Sequence, residues 1–363
     1  MTKGELRRFW FQVHKWIGIL LAIVLAPLSL AGSVLVWHDG VDRLLHPARF
    51  AVGSSGAQPA GSYVAVARAR LPAGSAISQL RFAEDGHGPV TVTATKPTPP
   101  GPRRPGPPAR LVVYLDPATA RVLDVADSSV GAMRWLHVFH GSLQIPGVGR
   151  TIVGWLGVIM LVSALSGMWL WWPTAGRWTR GLRWRRARET DTNLHHLAGF
   201  WIALPLAMLS LTGAWISFPA FFGALTGAPA QGMRPPMARP IERTALDVDR
   251  VMAIAGAERA ASVTWPTDRQ PGWKVSFAGA GAARMVDDRT GAVADAGPDR
   301  QQAGIARLMR RLHDGTGMGP VWQAIIFVAG ILPTLLGITG ILMWLRTRRW
   351  RARTERRVAI AAE

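Results

Sequence analysis

Cysteine is absent from this 363-residue chain. That excludes disulfides in any exported segment, thiolate metal sites and covalent haem attachment through a CxxCH motif. Acidic residues are scarce, 22 against 42 lysines and arginines, for a formal charge of +20. In a soluble protein such an excess points to nucleic acid, but its distribution excludes that partner here. Residues 16–37, 151–172, 197–222 and 321–345 contain no Asp, Glu, Lys or Arg. Each run is long enough to cross an apolar core of about 30 Å, which takes roughly 20 helical residues. The cations flank these runs, at Lys3, Arg7, Arg8 and Lys15, at Arg177, Arg180, Arg183, Arg185, Arg186 and Arg188, and from Arg346 to Arg357. By the positive-inside rule both termini face the cytoplasm and the two long loops lie outside. The basic tail also suits anionic lipid headgroups. The first run exceeds a signal-peptide core, so it is expected to remain as an anchor.

Also missing, from the loop 173–193, is a glycine-rich phosphate-binding turn. The loop 173–193 leaves no room for a nucleotide domain, so neither a flavin nor a nicotinamide site is expected.

What is present is duplication. Residues 14–32, HKWIGILLAIVLAPLSLAG, align without a gap on 195–213, HHLAGFWIALPLAMLSLTG, placing His14 on His195, Gly18 on Gly199 and Gly32 on Gly213. Residues 140–171 align on 313–344, placing His140 on His313, Gly167 on Gly340 and Trp171 on Trp344. YLDPATARVLD at 114–124 matches MVDDRTGAVAD at 285–295. The repeat unit reads as helix, small α+β domain, helix, and occurs twice. The fold class follows: an integral membrane protein with four transmembrane helices in a duplicated pseudo-twofold bundle, the axis along the membrane normal, and two small external α+β domains.

The expected organisation is a leader and first span at 1–38, an external domain at 39–127, an outer amphipathic helix and second span at 128–172, and a basic loop at 173–193. A third span at 194–222, a second external domain at 223–304, a fourth span at 305–345 and a basic tail at 346–363 complete it. Within the first external domain the pattern predicts a helix over 62–71, strands over 76–82 and 90–95, and a hairpin over 110–125 turning at Asp116-Pro117. The Pro-rich insert 95–108 cannot form a packed element. The second domain predicts a helix over 246–257, strands over 261–265 and 273–277, and a hairpin over 284–294.

Ligating groups near or inside spans are costly and point to function. The repeat sets His14 opposite His195 at the cytoplasmic level and His140 opposite His313 at the external level. Two imidazoles from facing helices are how a bundle holds b-type haem, so two haem b groups are expected. At about 100° per residue Gly32 and Gly213, 18 positions on, return to the face of His14 and His195, and Gly18 and Gly199, four positions on, lie near it. Gly18, Gly32, Gly199 and Gly213 are therefore expected to clear room for the macrocycle around His14 and His195. Arg134, Arg150, Arg310 and Arg311 near the outer pair suit either haem propionates or lipid phosphates. His137 and His196 break the repeat, although either could replace its neighbour as a ligand or add to the set. His38 marks the outer interface and stays available as a further ligand, His46 and His87 are solvated, and the tryptophans near span ends read as an interfacial belt.

Two other readings stand beside haem. Met133/His137/His140 and Met309/His313/Met318 have the composition of a copper-handling site. Alternatively the histidines cap helices, the glycines serve close packing, and the protein is a non-catalytic interaction or assembly factor.

The chain resembles the PepSY-associated transmembrane family of bacterial inner-membrane proteins along nearly its whole length. The resemblance rests on His14 with Gly18 and Gly32, the FHGSL run at His140 followed by Gly149-Arg150 and SGMWLW, and His195 with Gly199 and LTG at 211–213. LH at 312–313 followed by ITGILMW and the two LDPATARVLD-like hairpins complete it. Similar proteins include iron-regulated and ferric-siderophore reductase-like members thought to carry two haems. The resemblance implies an oxidoreductase, a ferric reductase whose acceptor is a periplasmic ferric chelate such as a ferric siderophore. With no nucleotide site, the electron donor is then quinol or a separate reductase.

Overall fold

The computed structural model describes residues 2–53, 56–83, 88–97, 109–172, 179, 182, 187–226, 238–256, 260–277, 283–296 and 304–362. Residues 98–108 of the Pro-rich insert, His87, Trp178, and Arg177, Arg180, Arg183, Arg185 and Arg186 lie outside them. In chain order the helices are α1 (Lys3–Val36), α2 (His38–Leu45), α3 (Ala60–Arg70), α4 (Ala132–Ser142), α5 (Gly149–Trp171), α6 (Thr190–Ser217), α7 (Pro219–Leu225), α8 (Val248–Ile254), α9 (Ile305–Asp314) and α10 (Pro320–Ala362). The strands are β1 (Ala76–Arg81), β2 (Val90–Thr95), β3 (Arg110–Leu115), β4 (Val122–Asp127), β5 (Ala260–Thr264), β6 (Gly272–Phe277), β7 (Ala283–Asp287) and β8 (Val293–Ala296). They divide into two compact units.

The first unit holds Met1–His38, Trp135–Ala230 and Gly304–Glu363. Four of its helices, α1, α5, α6 and α10, are long and apolar enough to cross a membrane, so this is a membrane protein. They close a ring: α1 packs on α5, α5 on α6, α6 on α10 and α10 on α1. Leu20, Ile23, Leu204 and Val321 are exposed on them, as a lipid-facing surface requires. The basic leader is part of α1, which starts with a capping box: Thr2 Oγ1 accepts from the Glu5 N–H, and Glu5 Oε2 accepts from the Thr2 N–H. That satisfies two of the donors a helix start leaves open. The tail is likewise helical, since α10 runs 43 residues. Its Arg346 pairs with Asp191 and bonds Thr192 Oγ1, tying α10 to the start of α6.

The second unit holds Asp39–Arg134 and Gln231–Ala303. The stretches expected as two small domains contribute four strands each to one antiparallel sheet, in the order β4-β3-β2-β1-β5-β6-β7-β8. Each half is a meander whose first strand is an edge with unpaired backbone groups. Gln79↔Thr264, Leu80↔Val263 and Arg81↔Ser262 pair those edges with each other, removing both. One face alternates cleanly, as in β2 and β3. Its Leu80, Val92, Val113, Val263, Val275 and Val286 pack with Tyr63 of α3 and Val251 of α8 in a single core.

Candidate functional site

Four histidines come together in two pairs in the helical unit. His14 of α1 and His195 of α6 have ring centroids 6.3 Å apart, with planes at 81°. His140 of α4 and His313 of α9 have centroids 6.1 Å apart, with planes at 39°. The second pair sits on short helices that fold back before α5 and α10. The chain leaves α4 through Leu143 and Gln144 at φ 53° and 60°, and α9 is capped by Gly315 at φ 79°. A left-handed residue without glycine costs roughly 1–2 kcal/mol, so the α4 turn is strained next to its histidine.

Among the described residues every hydrogen bond these four rings make runs through Nδ1. His14 Nδ1 meets the Ser163 carbonyl at 3.0 Å and Ser166 Oγ at 3.2 Å. His140 Nδ1 meets the Leu28 carbonyl at 2.9 Å. His195 Nδ1 meets Thr339 Oγ1 at 3.0 Å, with the Leu336 carbonyl beside it. His313 Nδ1 meets the Leu209 carbonyl and Thr212 Oγ1, both at 3.1 Å. A carbonyl only accepts. The three hydroxyls have given their own protons to carbonyls of their helices. All four Nδ1 atoms therefore carry the proton, which leaves Nε2 with a lone pair. Burial lowers the pKa of His140, and burial together with His140 lowers that of His313 to about 4. Both are neutral near pH 7.

Each ring lies against a glycine of the helix that anchors it. A Cβ would fall 2.6 Å from His140 Cε1 at Gly32, 2.9 Å from His14 Cε1 at Gly167, 3.0 Å from His313 Cε1 at Gly213 and 3.5 Å from His195 Cε1 at Gly340. This corrects the expected grouping around His14 and His195. Gly32 and Gly213 share a helical face with those histidines, but 18 residues are about 27 Å of helix, so they serve the other pair. Gly18 and Gly199 do border open space: a Cβ meets nothing within 4 Å at Gly18, and only Leu336 at 3.8 Å at Gly199. Gly167, Gly340 and the hydroxyls of Ser166, Thr212 and Thr339 join the site beyond the residues expected from the sequence. Their signal is a small or hydroxyl residue before a glycine in each span: Ala31-Gly32, Ser166-Gly167, Thr212-Gly213 and Thr339-Gly340.

A cavity of about 680 Å³ opens between the four long helices and is lined by His14, His195, Gly18, Gly199, Gly167 and Gly340. Cofactor sites run from about 300 to 1,000 Å³. Arg7, Arg8, Arg348 and Arg351 also line it, carried there because α1 and α10 continue beyond their apolar runs. Arg7 bonds the Leu170 and Trp172 carbonyls at the end of α5. Of the arginines expected near the other pair, Arg150 bonds the Ile216 carbonyl, and Arg311 bonds those of Thr316 and Gly317 at 3.1 and 2.8 Å. The Leu170, Trp172 and Ile216 carbonyls are orphans of helix ends, which recruit such cations, while Arg311 ties down the turn after α9. Arg134 and Arg310 are exposed on α4 and α9.

The fit to an iron porphyrin can be tested on this geometry. An imidazole Nε2 lies about 1.2 Å from its ring centroid and binds a metal at about 2.0 Å, so two rings on one iron have centroids about 6.3 Å apart. Both pairs match. Among the described residues no group of three or more His, Asp or Glu could hold a metal. Two imidazoles alone are too few to hold a bare ion and would suit a metal whose remaining ligands come from a macrocycle. His196 lines the cavity with its ring 6.5 Å from that of His195, and His46 pairs with Asp42 in the sheet unit.

Comparison with protein families matches residues 11–347 to the PepSY-associated TM region. Comparison with curated proteins gives no match.

Proposed function

The chain belongs to the family of the PepSY-associated TM region, and within it we propose a di-haem b-type protein that carries electrons across the bacterial inner membrane to a ferric chelate. His14 and His195 would hold one haem, His140 and His313 the other. The observation that carries the reading is the pair of opposed imidazoles at 6.3 and 6.1 Å with every Nδ1 tied down. Bound haem supplies one-electron exchange. The chain's residues fix the tautomers and clear the rings with glycine.

The arrangement is read as pseudo-twofold. Gly167 serves His14 as Gly340 serves His195, and Gly32 serves His140 as Gly213 serves His313, each at matched repeat positions. The His14 pair lies at the arginine-rich end, taken as cytoplasmic, and the other pair at the periplasmic end. A quinol or a separate reductase would give the electrons, and each ferric ion would take one. Fe(III) suits hard oxygen ligands better than Fe(II), so reduction releases it from a siderophore.

The test is the visible spectrum of the detergent-purified protein, oxidised and dithionite-reduced, with a haem-to-protein ratio. Two haems with sharp reduced b-type bands are expected, one lost in His14→Ala and the other in His313→Ala. A haem-free protein expressed with ample haem sinks the reading.

A further inference from the structure

We propose that the residue before each ring-facing glycine tunes the reduction potential of its haem, and that Ala31 raises the potential of the His140/His313 site. This rests on the haem reading above. The four positions are Ala31, Ser166, Thr212 and Thr339. All are buried, at 5%, 4%, 1% and 3% exposure. Three carry a hydroxyl within 3.2 Å of a histidine Nδ1. Each of those hydroxyls donates to its own helix: Ser166 to the Ser163 carbonyl at 2.9 Å, Thr212 to Met208 at 2.9 Å and Thr339 to Leu335 at 2.8 Å. Only their lone pairs are left for the ring. His14 and His313 therefore give Nδ1–H to a carbonyl and a hydroxyl together, and His195 gives it to the Thr339 hydroxyl beside the Leu336 carbonyl. Among the described residues His140 Nδ1 has the Leu28 carbonyl alone, and alanine stands where the aligned span has Thr212.

An acceptor on Nδ1–H draws the proton away from the ring and makes Nε2 the stronger donor. A stronger donor favours ferric over ferrous iron and lowers the potential, and burial enlarges the effect. The His14/His195 site has two such hydroxyls and the His140/His313 site has one. Removing the fourth hydroxyl therefore tilts the electron towards the His140/His313 end. Arg8, Arg348 and Arg351 line the His14/His195 cavity, and their charge acts the other way. They are exposed and screened by salt, and they cancel when one site is compared with and without its hydroxyl.

The experiment is a spectroelectrochemical titration of the full-length protein in detergent, with the two components assigned through His14→Ala and His313→Ala. Ala31→Ser adds one oxygen and is expected to lower only the component that His313→Ala removes. The expected shift is up to tenfold in the reduction equilibrium, or about 59 mV for one electron. Thr212→Val should raise that same component, whereas Ser166→Ala and Thr339→Val should raise only the other. If Ala31→Ser loses haem, Thr212→Val decides alone. Intact haem with unmoved potentials, or a shift in the wrong component, overturns the inference and leaves the di-haem reading standing. A wild-type chain without haem overturns both.

Discussion

Alanine at each of the four ring-facing glycines should have graded effects, and the grading can be worked from the contacts. Carbon atoms in ordinary contact lie about 3.5–4.0 Å apart. At Gly32 the new Cβ would stand 2.6 Å from His140 Cε1, so the ring must give by about 1 Å. That stretches its 2.9 Å bond to the Leu28 carbonyl beyond hydrogen-bonding range. The loss is about 1 kcal/mol for the bond and roughly 1–3 kcal/mol for overpacking, against about 1 kcal/mol gained in helix propensity. Gly167→Ala and Gly213→Ala, at 2.9 and 3.0 Å, follow the same course less severely, whereas at Gly340 the contact of 3.5 Å is ordinary. On the di-haem proposal Gly340→Ala should therefore keep both proposed haems and melt no lower than the wild type. The assay is haem-to-protein ratio with the reduced-minus-oxidised spectrum and thermal unfolding. Gly32→Ala and Gly213→Ala should deplete the His140/His313 site, and Gly167→Ala the other. Equal losses in all four variants, or an unaltered spectrum in Gly32→Ala, would refute the ring-clearance argument.

Three further outcomes are expected. Ala120 and Gly291 occupy equivalent turn positions at φ 55° and 70°, so Ala120→Gly should stabilise the sheet unit by about 1 kcal/mol and Gly291→Ala should weaken it by a similar amount, read by denaturant unfolding of the full chain. At Gly330 a Cβ would press on Ser33 Oγ and lie 2.9 Å from the Ser29 carbonyl oxygen; Gly330→Ala should lower the melting temperature despite its better helix propensity, because backbone cannot yield cheaply. The Lys96 ammonium, 2.8 Å away, and Ser129 hold Asp127 down from 3.8 to about 2. A depressed carboxylate stabilises the fold above its unfolded pKa, so that contribution should be lost as pH falls from about 3.8 to 2, and Asp127→Asn should remove this part of an acid-unfolding curve.

Much of the architecture was legible because its signals are local. Charge-free runs mark α1, α5, α6 and α10, strict alternation marks β2 at Val90–Thr95, and Asp-led turns mark both hairpins. The repeat also sets His14 with His195 and His140 with His313, which lie ring to ring. The pairing of β1 with β5 was not legible, since joining two edges about 180 residues apart leaves no local mark. The glycine assignments failed for a geometric reason: a helical wheel reports the face and is silent about height along the axis. The arginines at the cavity were hidden because leader and tail were read as flanks, although Arg348 and Arg351 stand on the same helix as Gly340.

Each histidine is anchored by a helix other than its own, and each pair draws one ring from before the 173–186 stretch and one from after it. Neither half of the chain contains a complete pair. A half expressed alone could assemble one only by meeting a second half, in the manner of a homodimer. Covalent linkage of the halves thus fixes their one-to-one stoichiometry at any expression level, and it lets the matched positions carry different residues, as Ala31 and Thr212 do.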